Sequence, residues 1–259
     1  MKDPAAVIGV AGGLVVIVIS NVLEGGNPMS LLEVAPILLV LGATMMATIA
    51  GGSMADAKAA IRNIKRAFTA NVEPATDLVP QVVQLAEKAR REGLLALEDG
   101  LRDIPDPFLV KGVTMAIDGT DPEELREILE AELRAKRRDD KQAAKFFADA
   151  GGYAPTIGII GTVMGLVHVL ENLSTPQTLG PLIAGAFVAT LWGVMSANVI
   201  WLPLGNRLNR IGELERARME VAVEGVAAIQ AGANPRLVAE KLRSLLPGDA
   251  LEPADSKAA

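Results

Sequence analysis

The chain has 259 residues, 50% hydrophobic and 22% charged, with a formal net charge of −6. It has no cysteine and a single histidine, which excludes a disulfide framework and thiolate chemistry and leaves little scope for histidine-based metal or acid–base sites. The negative balance gives no reason to expect nucleic acid as a partner. Mean hydropathy is nevertheless positive at +0.33, because the two classes are segregated: long uncharged spans alternate with heavily charged stretches. A helix needs about 20 apolar residues to cross a bilayer, and four stretches qualify.

The first span covers about residues 4–23. It lacks the basic start of a secretory signal, and Ser20-Asn21-Val22-Leu23-Glu24 is a poor cleavage site, so it is expected to be retained. The turn Glu24-Gly25-Gly26-Asn27-Pro28 leads to a second span at about 31–50, with Glu33 at its outer margin and Pro36 one turn inside. From 51 to 149 the chain changes character. Asp56 to Phe68 reads as a basic amphipathic helix leaving the membrane. Leu78 to Gly100 has apolar residues at helical spacing, and Asp103-Ile104-Pro105-Asp106-Pro107 is a loop. Asp121-Pro122-Glu123-Glu124 has the proline and acids of a helix start. That helix runs through Leu125, Ile128, Leu129 and Leu133 and turns basic at Arg134. No alternating strand pattern occurs.

The third and fourth spans, about 150–170 and 179–204, form a hairpin in which Pro155 opens the first arm and Pro203 closes the second. Thr156, Thr162, Thr190, Ser196 and Asn198 punctuate the interiors, and Gly158, Gly161, Gly165 and Gly193 allow close helix approach. Such residues in a membrane helix mark faces turned to protein rather than lipid. Residues 209–259 read as a charged helical tail, disordered over its last dozen positions. The expected fold is therefore all-α: four transmembrane helices in two hairpins, a helical cytoplasmic domain inserted between the second and third, and a helical C-terminal tail.

Charge fixes the expected orientation. The loops around 24–30 and 171–181 contain no lysine or arginine, whereas Lys58, Arg62, Lys65, Arg66, Lys141, Lys145, Arg207 and Arg210 flank the other ends of the spans. The positive-inside rule places both termini and the middle segment in the cytoplasm. An ion pathway usually requires an ionisable group within the membrane, and the middle of every span has none, since Glu33 and His168 fall near outer ends. A titrating carboxylate must then come from another subunit. No nucleophile–base pair or metal constellation points to an enzyme.

Several segments together resemble the MotA/PomA family, the A subunits of bacterial flagellar stators. They are two hairpins around a large insertion, Ala89-Arg90-Arg91-Glu92-Gly93-Leu94-Leu95-Ala96-Leu97-Glu98 within it, Ala154-Pro155-Thr156-Ile157-Gly158 with Gly161-Thr162 and Gly165-Leu166-Val167, and Ala189-Thr190-Leu191-Trp192-Gly193 ending at Pro203. The resemblance covers all but about the last dozen residues. It implies a ring of five A subunits around two B subunits in the bacterial inner membrane. Each B subunit supplies an ion-binding aspartate and a peptidoglycan-binding domain. Inward flow of H+ or Na+ would rotate the ring against the rotor protein FliG, with no bound cofactor.

Position by position, Arg90 and Glu98 match the family's rotor-facing pair, Pro155 and Pro203 its two functional prolines, and Thr162 and Thr190 its polar positions. Glu33 falls where sodium-type members carry an acid, which with the threonines leans mildly towards Na+. Each has a plainer reading. Arg90 and Glu98, eight apart on one predicted helix, could be a solvated face. Pro155 could simply start a helix, the threonines could bond their own helix backbone, and Glu33 could face the headgroups. Two rival classes are an ExbB/TolQ-like energising subunit, disfavoured by the fourth span, and a non-conducting membrane scaffold.

Overall fold

The structure, a computed structural model, describes residues 4–246; the expectation of disorder over 248–259 lies outside the described residues. Every regular element among them is helical. Helix α1 spans Ala5–Leu23, and α2, a broken helix, spans Pro28–Ala50. Then follow α3 (Met54–Thr69), α4 (Leu78–Glu92), a 3₁₀ segment (Leu94–Asp103) and α5 (Pro107–Ile117). Two long helices, α6 (Pro122–Glu171) and α7 (Pro176–Gln230), precede α8 (Pro235–Ser244). Helices α1, α2, α6 and α7 each contain a stretch long and apolar enough to cross a membrane.

Local chemistry sets the boundaries. Ser53 starts α3 with a reciprocal capping box: the Asp56 amide donates to its hydroxyl oxygen at 3.2 Å, and the Ser53 amide donates to the Asp56 carboxylate at 2.9 Å. The Ser53 hydroxyl also donates to that carboxylate at 2.7 Å, and this bond, with the one from the Ser53 amide, holds the Asp56 carboxyl below its ordinary range. Asp106 caps α5 by accepting from the Phe108 and Leu109 amides, with Pro107 at the first helical position. Asn234 and Pro235 repeat that arrangement at α8.

The chain forms two compact units. One takes residues up to Asn71 together with Asp140–Arg210, so it holds all four apolar stretches and α3. Its packed cluster joins Ala57, Ala60 and Ala67 of α3 to Phe146 and Phe147 of α6 and Leu204 and Leu208 of α7. The small alanines let α3 lie close to the bulky rings. Arg66 reaches Asp140 at 2.8 Å, where the carboxylate is only 3% exposed. By contrast α1 has no buried residue, and Ile8, Val16, Ile159 and Val163 are exposed. Apolar surface on that scale calls for lipid or partner helices.

The second unit takes Val72–Asp139 and the chain from Ile211 onward. Its core combines Leu78 and Val82 of α4, Leu109 and Val113 of α5, and Leu125 and Leu129 of α6 with Val221, Val226 and Ile229 of α7 and Val238 and Leu242 of α8. Here the structure differs from the sequence reading: residues 211–246 are not a charged tail but part of this core. Buried Arg218 ties the unit together. Its guanidinium donates to the Asp106 carboxylate at 3.0 Å and to the Glu73 and Pro74 carbonyls at 3.1 Å.

Pro155 and Pro203 both lie within long helices. Pro155 does not open a helix; α6 runs through it without interruption. Pro203 lies inside α7, which continues to Gln230. A π segment, Ser196–Trp201, immediately precedes Pro203. Proline lacks an amide and crowds the carbonyl four residues back, here that of Val199. The wider π turn gives that carbonyl room. A second π segment, Leu38–Gly42, follows Pro36 in α2.

Candidate functional site

The sequence-predicted residues fall in two places, one in each unit. In the membrane-type unit, α6 and α7 approach at Gly158 and Gly193. A Cβ added to Gly158 would stand 2.9 Å from the Ala189 carbonyl oxygen and 3.1 Å from the Gly193 Cα. Only hydrogen fits there, so the backbones touch. One turn along, the Thr162 and Thr190 hydroxyls hydrogen-bond each other across the crossing. Thr162 also donates to the Ala186 carbonyl at 2.9 Å, on the opposite helix. The structure thus unites two residues 28 positions apart in one half-buried polar step between apolar helices.

The prolines flank another contact of the same hairpin. A Cβ on Gly151 would meet the Leu202 side chain at 2.6 Å. Gly151 also carries the carbonyl that the missing Pro155 amide leaves without its helical partner, and Leu202 adjoins Pro203. Each helix therefore has a weakened hydrogen-bond ladder where the two meet.

Glu33, at the start of the second apolar stretch, lies against α7. It is the N-cap of Val34–Ile37, yet its side chain caps no amide. It points instead at Gly185, nine residues beyond the start of α7, where an added Cβ would lie 2.6 Å from Oε2. Glu33 and His168 line one cavity of about 330 Å³ with Pro36, Gly161, Gly165 and Ala189. The Trp192 indole fixes this end of α2 by donating to the Leu31 carbonyl at 2.7 Å. Sequence reading set Glu33 and His168 apart as two interfacial residues. Their shared cavity depends on the small residues of α6 and α7, which the glycine spacing signals only indirectly. Among the described residues no three His, Cys, Asp or Glu side chains form a group that could hold a metal ion.

In the other unit, Arg90 and Glu98 are both exposed but do not share a helix. Gly93, with φ +87°, ends α4 between them, and Glu98 lies on the 3₁₀ segment. That corrects the one-helix expectation; a left-handed φ is what glycine permits and a side chain resists. Arg90 and Arg91 share an open cleft of about 360 Å³ with Glu87, Asn234 and Arg236. Arg236 was missed in the sequence because it comes from α8, nearly 150 residues downstream.

The chain matches known proteins along almost its whole length. The family described as "Motility protein A N-terminal" matches residues 7–93, and the MotA/TolQ/ExbB proton channel family matches residues 101–221. The chain is 35% identical to Motility protein A of Bacillus subtilis (strain 168), over 95% of this chain and 91% of that one. It is 31% identical to the chemotaxis protein PomA of Vibrio alginolyticus, over 94% and 95%. Among solved structures, MotAB of C. jejuni gives a TM-score of 0.89 at 30% identity, covering 95% of this chain and 97% of that chain. The flagellar MotAB stator complex of Bacillus subtilis gives 0.88 at 34% identity, covering 98% and 99%. With a membrane-type hairpin, a polar step at a close glycine crossing and similarity of this extent, the chain belongs to the motility protein A (MotA/PomA) family of flagellar motor stator subunits.

Proposed function

We propose that the chain is the ring-forming A subunit of a stator that couples inward H+ or Na+ flow to torque. Five copies would surround two B-type subunits of the MotB/PomB kind in the inner membrane, with both termini cytoplasmic. The observation carrying this reading is the Thr162–Thr190 hydroxyl pair at the glycine crossing, in a hairpin that has no carboxylate of its own there. Such a step can hand an ion or a water along a path but cannot itself take up a proton near neutral pH, so the partner's aspartate would complete it. The uncapped Glu33 carboxylate in its cavity supports a role in collecting cations, and Na+ stays mildly favoured on that ground. The ladder gaps at Pro155 and Pro203 suit helices that must flex as ions pass. Arg90 and Glu98, exposed on adjoining elements, would face FliG.

Purification in mild detergent followed by native mass spectrometry tests the assembly. A five-to-two complex with a single-span, peptidoglycan-binding partner is the expected result. A TolR-like partner, or none, would overturn it. Arg90→Glu tests the rotor face: torque should fall while the complex still assembles, and normal swimming would remove Arg90 from that role.

A further inference from the structure

Helix α3 packs against the protein along one side and leaves the opposite side exposed. Ala57, Ala60 and Ala67 are buried in the packed cluster. Beside them Ile61 is 71% exposed and Met54 61% exposed. At about 100° per residue, Lys65, Lys58 and Arg62 follow within roughly 80° of Met54. Those three cations have no carboxylate partner among the described residues, whereas Arg66 on the other side is held by Asp140. An exposed apolar edge bordered by unpaired cations is unfavourable in water but suited to a membrane surface. There the apolar side chains enter the acyl boundary and long basic side chains extend to the headgroups.

The tether keeps α3 at that surface. Only Gly51, Gly52 and Ser53 separate it from the end of the α2 span at Ala50, and three residues reach about 10 Å at most. Lys58 and Lys65 are seven apart, two turns, so both project on the same side. Asp56 is the helix's own acid on this stretch, and its carboxylate is turned back to Ser53 by the capping box. The exposed face is thus cationic without local neutralisation.

We propose that α3 is a docking helix for anionic phospholipid. In this arrangement Met54 and Ile61 sit at the acyl boundary, and Lys58, Arg62 and Lys65 hold the phosphates of negatively charged headgroups. The inference rests on the membrane placement of α2 and not on stator function. Its failure is therefore separable from failure of the ion-coupling reading.

Because the chain has no cysteine, Ile61→Cys in the full-length protein gives one thiol for a nitroxide label. Measurements would use vesicles of phosphatidylcholine alone and with added phosphatidylglycerol. The expected result has two parts. With phosphatidylglycerol the nitroxide is more accessible to oxygen than to a polar nickel chelate, and the washed protein retains phosphatidylglycerol above its bulk fraction. Each basic residue at an anionic surface contributes roughly a fivefold preference. The combined variant Lys58→Gln, Arg62→Gln, Lys65→Gln should therefore lose at least about tenfold of that enrichment, while Lys58→Arg with Lys65→Arg keeps it. Equal retention of both lipids by the unsubstituted protein would overturn the proposal. So would a nickel-accessible nitroxide, which marks a solvated face, or one shielded from both reagents and dipolar-coupled to another label, which marks a second copy of the chain.

Discussion

Each hydroxyl of the Thr162–Thr190 pair also has a backbone oxygen to bond, Ala186 or Gly158, so their worth to the fold is separable from their worth to function. Valine keeps the branched shape and removes the hydroxyl. Thr190→Val is expected to assemble normally yet lose most swimming, with Thr190→Ser retaining it. Normal motility in the valine variant would reduce the pair to helix packing. Arg218 is the opposite kind of residue. Deleting its guanidinium strands the Asp106 carboxylate, 12% exposed, and the carbonyls of Glu73 and Pro74. Arg218→Met should cost about 3 kcal/mol, read as a lowered thermal midpoint with α5, whose cap is the same Asp106, loosening first by hydrogen exchange. Asp56 gives a pH signature. Its carboxyl is depressed in the fold, chiefly by the Ser53 hydroxyl, so the box stabilises α3 above the usual aspartate range and is lost as pH falls through the lowered value. Ser53→Ala should flatten that acid-side dependence and cost about 1 kcal/mol at neutral pH, checked by thermal scans across pH.

Between residues, the tight crossing of α6 and α7 sets the tolerances. Gly158→Leu would drive a side chain into the Ala189 carbonyl and the Gly193 backbone, neither of which can rotate away. Loss of the assembled complex on native gels is expected, with Gly152→Leu, where nothing lies within 4 Å of an added Cβ, as the tolerated control. The four apolar helices were legible in the sequence because length and hydropathy alone identify them. Their internal details were not. Pro155 looks like a helix opener when read locally, yet α6 continues through it, since the packed hairpin outweighs one lost hydrogen bond. Arg90 and Glu98 keep a helical spacing in the sequence, and only the positive φ of Gly93 reveals the break. Residues 211–246 seemed a charged tail because charges dominate the average, whereas Ala222, Val226 and Ile229, four and three apart, mark a buried stripe at helical intervals.

At the scale of the molecule, each unit is assembled from chain segments far apart in sequence. The Val72–Asp139 unit is completed by the chain after Ile211, so its core cannot close until α8 has been synthesised. Leu242, fully buried, should therefore matter as much as a central core residue: Leu242→Ala is expected to cost about 3 kcal/mol and to lower the steady-state amount of protein in membranes. The Arg90–Arg91–Arg236 cleft depends on the same closure, as α8 supplies Arg236. A weakened α8 should thus reduce torque even where the membrane complex persists.

The π turns at Leu38–Gly42 and Ser196–Trp201 carry a consequence for descent. Each is an α-helix holding one residue more than its ladder needs, in effect an insertion absorbed without a loop. Removing one residue from Leu38–Gly42 should restore an unbroken ladder, but it would turn the helix on one side of the deletion by about 100° relative to the other, changing which side chains Val34–Ile37 and Ala43–Ala50 present together. In Ser196–Trp201 the spare residue is not free to leave, because Pro203 would then press on the carbonyl four places back. Among relatives, single-residue length changes should accumulate at the first turn and be absent from the second wherever the proline is kept.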